Sequence, residues 1–213
     1  MASPKEIRNA KLGVRVAKAL EARHFEAWYV DSAAEAVGKA LSLIPQTHTV
    51  SWGGSMTVDD LGIKQRLEER GNKIIDRDKA TSKEERMELM RQALLCDTFL
   101  ASSNAISEDG QLVNVDGFGN RVAAMIFGPC QVIVLAGMNK VVKTLDDATQ
   151  RARTIASPLN MQRFTGLKTS CAETGGCANC MSLDSICSFI VTTRLCKPAG
   201  RIKVILIGED LGL

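Results

Sequence analysis

The first half of the chain alternates short apolar runs with amphipathic helical stretches, and that alternation leaves few folds open. Glu26–Val30, Thr47–Trp52, Lys73–Asp76 and Thr98–Ser103 read as strands. Between them, Pro4–Arg23 carries Ile7, Leu12, Val16 and Leu20 at helical spacing. A second helix, capped by Asp31 or Ser32, runs to Ile44 and stops near Pro45. Thr57–Arg70 reads as a helix ended by Gly71, and Ser82–Cys96 as one with Met87, Met90, Leu94 and Leu95 toward the core. Repeated strand–helix units predict an α/β fold, a mostly parallel sheet flanked by helices on both sides.

The second half is less regular. Glu108-Asp109-Gly110 signals a turn, and Gln111–Val115 reads as the returning arm of a hairpin. Asn120–Phe127 reads as a short helix, Gln131–Ala136 as the most strand-like run, and Asp146–Ala156 as a helix closed by Ser157-Pro158. Phe189–Leu195 and Ile202–Ile207 read as the last strands. We read residues 1–213 as a single domain with a cysteine-rich insertion at 171–187.

Charge and composition exclude some functions. The formal charge is 27 minus 24, or +3, with basic residues dispersed, so a nucleic-acid partner is not expected. Six Phe, two Trp and one Tyr supply too few rings for base stacking. Met1–Leu20 lacks a signal-peptide pattern, and no run is long enough for a membrane helix, so a cytoplasmic, membrane-free protein is expected.

In that compartment cysteines stay reduced. Four of the seven fall in one stretch: Cys171, Cys177, Cys180 and Cys187, with five, two and six residues between them. Four thiolates suit zinc or an iron–sulfur cluster, although the spacing fits neither a paired zinc ribbon nor a ferredoxin run. The alternative is a group of plain thiols in which Cys177 and Cys180 form a redox pair. Cys96 and Cys130 read as core.

Three loops carry candidate binding groups. Ser51-Trp52-Gly53-Gly54-Ser55 joins a strand to a helix, and its paired glycines allow a ligand to approach the backbone. Thr57 with Asp60 reads as a capping pair that leaves free amides facing an anion. A ligand-free tight turn is the plainer reading, but the loop lies beyond the carboxyl end of a strand, where α/β proteins place ligands. The second group spans Asn104, Asn114, Asp116, Asn120 and Arg121, among Gly-rich turns. An arginine at a helix start opposes the dipole, so Arg121 is expected to face Asp116 or a ligand. Lys140, after the strongest strand, reads alone as a solvated lysine but ends on the same sheet edge. Asp116 and Glu209 are the acid–base candidates. His24 and His48 read as structural, and no serine elbow, Walker loop or zinc-protease motif is present.

Several ordered blocks, SWGGSMTVDDLGI, SSNAISEDGQLVNVDGFGNRVAAMIFGP, VIVLAGMNKVV and IKVILIGEDLGL, together resemble the LUD-domain proteins, named for lactate utilisation. The resemblance covers roughly residues 10–213. It implies a fold like that of the NagB, ribose-5-phosphate isomerase and CoA-transferase superfamily, and a bacterial cytoplasmic protein. Some members are encoded beside iron–sulfur oxidoreductase subunits that convert lactate to pyruvate. The chain lacks the ferredoxin-type cysteine runs of larger relatives, so electron transfer through two clusters does not carry over. By analogy with the superfamily, Gly53, Gly54 and Ser55 handle an anionic sugar phosphate or acyl group, and the Asp116 loop forms the other wall. The expectation is a metabolic protein that binds a small anionic metabolite and a cysteine-ligated metal or cluster. The rivals are a non-catalytic accessory subunit of an iron–sulfur oxidoreductase and a sugar-phosphate isomerase or acyl transferase.

Overall fold

A computed structural model of the chain describes residues 2–213. Its first helix, α1 (Pro4–Ala22), opens on a capping box in which Ser3 and Glu6 each accept the other's backbone amide. Then follow β1 (Glu26–Val30), α2 (Ala33–Leu43), β2 (Thr49–Trp52), α3 (Met56–Asp60), α4 (Ile63–Glu69) and β3 (Lys73–Ile75). Next come α5 (Lys83–Gln92), β4 (Thr98–Ala101), β5 (Ala105–Ser107), β6 (Leu112–Asp116) and α6 (Asn120–Ile126). The remainder is β7 (Gln131–Gly137), β8 (Val141–Val142), α7 (Leu145–Arg151), α8 (Ser157–Met161), α9 (Ser170–Thr174), β9 (Phe189–Thr193) and β10 (Ile202–Ile207).

The expected parallel sheet is present. Six strands lie in the order β1-β10-β7-β4-β2-β3, and each neighbouring pair is parallel. Both faces are buried, as the continuous apolar strands require. On β7 alternate residues divide between two cores. Val132, Val134 and Ala136 join Leu12, Val16 and Leu20 of α1, while Ile133 and Leu135 join Ala36 and Ala40 of α2 and Leu67 of α4. In the middle of the sheet Leu100 stands in register with Trp52 on one side and Ile133 on the other. Trp52 fills core, 2% exposed.

A second, four-stranded sheet has the order β8-β5-β6-β9. The expected hairpin is there, but its outgoing arm is the separate strand β5, antiparallel to β6, and not the end of β4. Helix α7 covers this sheet: Ala148, with Ala152 just beyond it, packs on Ala105, Val113 and Val115. The cysteine segment lies between α8 and β9 and leads into this sheet.

Five local expectations differ from the structure. The stretch 57–70 is two helices, because Gly62 takes a left-handed φ of 62° and breaks the run. Its cap is Ser55, whose Oγ accepts the Val58 amide, and not the Thr57–Asp60 pair. Helix α5 buries Met90 but leaves Met87 half exposed, and the tight turn at Ala93–Leu95 swings Leu95 into solvent. The helix from 145 does not stop at Pro158. A π turn over Ala152–Ala156 carries it into α8, and its wider bonding accommodates a proline that has no amide to donate. Cys96 is core, whereas Cys130 is exposed.

Gly110 ties the second sheet to α1. It sits at φ 88°, and a Cβ there would stand 2.7 Å from the Ala19 carbonyl carbon and the Leu20 nitrogen. Backbone atoms of a helix cannot step aside. Gly110→Ala is therefore expected to destabilise the fold by on the order of 2–4 kcal/mol, read as a shift in the urea midpoint at unchanged slope.

Candidate functional site

Three parallel strands end on one edge of the large sheet, and their loops meet there. β2 delivers Gly53, Gly54 and Ser55, β4 delivers Ser102, Ser103 and Asn104, and β7 delivers Lys140. With Arg121 and, from α8 and just beyond it, Asn160 and Arg163, all of these but Gly53 wall a polar cleft of about 510 Å³, counting the part open to solvent. α3 is a single short helix of five residues, so most of the positive potential here comes from side chains.

Lys140 is not the solvated lysine that its loop suggests when read alone. It is 3% exposed, and its Nζ donates to Thr57 Oγ1 at 2.8 Å and Ser102 Oγ at 3.0 Å. Burial pushes its pKa down to about 7, reinforced by the charges of Arg151 and Arg121 and opposed by Asp60. Arg151 is also buried, and its guanidinium donates to the carbonyls of Asn139 and Asn104, stitching the two loops together behind Lys140.

Arg121 meets Asp116, as its place at a helix start suggested. Its Nε lies 3.4 Å from Asp116 Oδ2, and its Nη2 donates to Asn104 Oδ1 at 3.1 Å and to the Val115 carbonyl. Asp116 also accepts the amides of Gly119 at 3.1 Å and Val122 at 3.3 Å, so its carboxylate holds the start of α6 together. Asn104 accepts the Val115 amide at 2.9 Å, and Asn114 donates to the Ser102 carbonyl at 2.9 Å, fixing the end of β4. Gly53 makes room for this arrangement: a Cβ there would stand 2.8 Å from Arg121 Cγ. Gly54, Ser55, Asn104, Arg121 and Lys140 thus reach the cleft, while Asn114 and Asp116 brace it from behind. Asn120 opens α6 off the cleft wall, and Glu209 lies apart, accepting the Ala33 amide at the start of α2.

Sequence reasoning passed over Thr57 as a lysine partner, Ser157 as a cavity residue, and Arg77, Arg151 and Arg163 altogether. Arg77 was within reach of the same rule that selected the other loops, since it follows β3 at the same sheet edge. Its Nη2 would lie 2.7 Å from a Cβ at Gly54, and its buried Nε has no hydrogen-bond partner.

The four clustered cysteines line a second cavity, with Ser157, Thr169 and Ile186. Cys171 is buried beside Thr169, Cys187 is half-buried, and Cys177 and Cys180 are exposed. Burial pushes the Cys187 thiol up, a bond from Ser157 opposes this, and Cys171, Cys177 and Cys180 add to the rise by their charge. Hydrogen bonds from Ser182 and Ser170 hold the Cys180 thiol down. Among the described residues no three metal-binding side chains stand close enough to hold an ion as they are. The sulfurs converge on one space without forming a closed coordination sphere. Cys96 and Cys196 sit elsewhere and donate to the Thr98 and Pro198 carbonyls. Ser157 and Ile186 belong to both cavities, so the cysteine cavity and the polar cleft are neighbours.

Comparison with known proteins agrees with this architecture. A family model described as the LUD domain matches residues 14–207. No curated protein matches the chain. A DUF162 family protein from Deinococcus radiodurans, solved by crystallography, is similar over 93% of this chain and 98% of its own, at 12% identity and a TM-score of 0.53. DUF162 is the former name of the LUD domain. Ribose 5 phosphate isomerase A from Neisseria gonorrhoeae is 16% identical over 53% of this chain and 54% of its own, at a TM-score of 0.33. No helix among the described residues is long and apolar enough to cross a membrane.

The depressed Lys140 pKa has a signature in stability. Between about 7 and the ordinary 10.5, the unfolded chain keeps a proton that the folded chain has released. Stability contributed by this lysine therefore rises with pH across that window and is lowest below it, where both states are protonated and the charge stays buried. Lys140→Met is expected to flatten that rise, read as the difference between wild-type and variant urea midpoints across the same pH range.

Proposed function

The chain belongs to the LUD-domain family, and on that footing we propose that it is a metabolic protein of lactate-utilisation type whose polar cleft binds a small anionic metabolite. The observation that carries this reading is Lys140, buried in the cleft with hydroxyls and no carboxylate as hydrogen-bond partners. Buried charges are ordinarily paired. Arg121 and Arg163 line the same space, and Arg77 stands beside Gly54, its Nε without a hydrogen bond and 3.8 Å from Asp78 Oδ1. Asp116 is committed to Arg121 and two amides, and Asp60 acts on Lys140 by charge alone, without a hydrogen bond. An anion would supply the hydrogen-bonded acidic partner that Lys140 lacks.

We assign Cys171, Cys177, Cys180 and Cys187 as the residues that would hold a zinc ion or iron–sulfur cluster. What supports this is their convergence on one cavity and a donor set of four thiols. Zinc there supplies a cross-link, and an iron–sulfur cluster one-electron transfer. Such a link would hold down a segment in which 173–181 is exposed and buries little apolar surface of its own. All seven cysteines are free, which suits a cytoplasmic setting. Iron–sulfur oxidoreductase subunits are the protein partners that fit this role.

Anion binding is testable by calorimetry with lactate, pyruvate and small phosphate esters. Arg163 is exposed, so Arg163→Gln is expected to keep the fold and weaken the preferred acid by roughly tenfold, the worth of one charge-assisted hydrogen bond. Gly54→Val should abolish binding while retaining the fold, since the new side chain meets only the flexible tip of Arg77. Affinities unchanged in both variants would remove the cleft from consideration.

For the cysteines, protein purified without oxygen is expected to carry bound metal. Cys177→Ser and Cys180→Ser should lose it and expose 171–187 to protease, whereas Cys130→Ser should retain it. Metal content per chain beside limited proteolysis decides the matter, and full retention in both cluster variants would leave only a group of thiols.

A further inference from the structure

We propose that Lys140 is a nucleophile whose amine condenses with the carbonyl of a 2-oxo acid held in the cleft, forming an imine and releasing water. This rests on the anion-binding reading above and names the class of anion. Lys5, Lys64, Lys79, Lys143 and Lys203 each pair with a carboxylate. Lys140 pairs with none: among the described residues its Nζ has Thr57 Oγ1 and Ser102 Oγ as its hydrogen-bond partners. Both hydroxyls turn their own protons elsewhere, Thr57 toward the Leu211 carbonyl and Ser102 toward the Ser103 carbonyl. Each therefore accepts from Lys140.

That arrangement uses two N–H bonds and leaves one tetrahedral direction on Nζ. In a neutral amine that direction holds the lone pair. Gly212 keeps space beside it, since a Cβ there would come within 3.3 Å of Nζ and 2.5 Å of Thr57 Oγ1. A lysine desolvated beside other cations gives up its proton readily and becomes nucleophilic near neutral pH. Here burial, Arg151 and Arg121 all act in that sense.

The same cleft fits the substrate class. A 2-oxo acid carries its electrophilic carbon next to a carboxylate, and Arg121 and Arg163 offer guanidinium groups to that carboxylate. The lone pair of Nζ adds to the carbonyl carbon, and the C=O π pair moves to oxygen. Two protons, both originally on the amine, leave with that oxygen as water, and a C=N bond remains. Nothing is oxidised or reduced, and hydrolysis reverses the step.

The test is reductive trapping. Wild-type protein is incubated with pyruvate and sodium cyanoborohydride near neutral pH, and the adduct is located by peptide mass mapping. Lys140 is expected to be modified in preference to exposed lysines such as Lys5 and Lys79 by about tenfold or more, because the bound carbonyl is held at high effective concentration. Lactate, which lacks the carbonyl, should compete without being trapped, and Lys140→Arg should lose the dominant adduct. Should that variant fail to fold, the wild-type map alone still decides. Adducts spread over surface lysines with Lys140 unmodified, while calorimetry shows that lactate binds, would overturn the imine and leave the anion site standing. If neither acid binds, both readings fall together.

Discussion

The cleft depends on the parallel register of β2, β4 and β7. Parallel strands point their carboxyl ends the same way, and neighbouring strands lie only about 4.8 Å apart. β4 pairs with β2 on one side and β7 on the other, so the three loops leaving them must meet. That is how Thr57 and Ser102, 83 and 38 residues before Lys140 along the chain, come within hydrogen-bond distance of it. The sheet interior offers no place for them, since helices cover both faces with apolar residues. Polar chemistry is confined to the rim.

Placing a lysine at that rim is costly, and the surroundings show how the cost is limited. Moving an ammonium out of water is penalised by several kcal/mol unless it is paired. Two hydroxyls offset part of this, and partial loss of the proton removes more. The rest is borne by rigidity elsewhere: Arg151 bonds two loop carbonyls, Asn104 and Asn114 hold backbone groups at the ends of β4 and β6, and Asp116 fixes α6. Most of the loop asparagines and the aspartate are thus scaffolding. The cations face the opening.

The parallel sheet was legible because apolar runs and amphipathic helices have different periods, and both are local properties of the chain. The rim loops were legible by the rule that ligands gather beyond strand ends. What could not be read was decided by long-range packing. Lys140 looks solvated in GMNK because nothing local says that Thr57 and Ser102 will close over it. Gly53 looked like a ligand contact, yet the arginine stem it accommodates lies 68 residues away in the sequence. Pro158 looked like a helix stop because a π turn has no sequence signal as plain as a proline. Asp116 was paired correctly with Arg121, since an arginine at a helix start needs an anion close by and only a few residues separate the two.

The π turn is where the two cavities are joined. Its i→i+5 bonding brings both the amide and the hydroxyl of Ser157 onto the Ala152 carbonyl, with the Oγ at 2.8 Å. Ser157 also lines the cysteine cavity with Cys187, and it lines the polar cleft on its other side. A regular helix would rotate every residue beyond 156, carrying Asn160 and Arg163 off the cleft wall. The same irregularity therefore sets the distance between the thiols and the cations. Burial holds the Cys187 thiol toward its neutral form, so the charge at this junction lies on the cleft side. Lys140, Arg121 and Arg163 are thus gathered around one small space, with Asp116 already paired to Arg121 and Asp60 acting on Lys140 by charge alone.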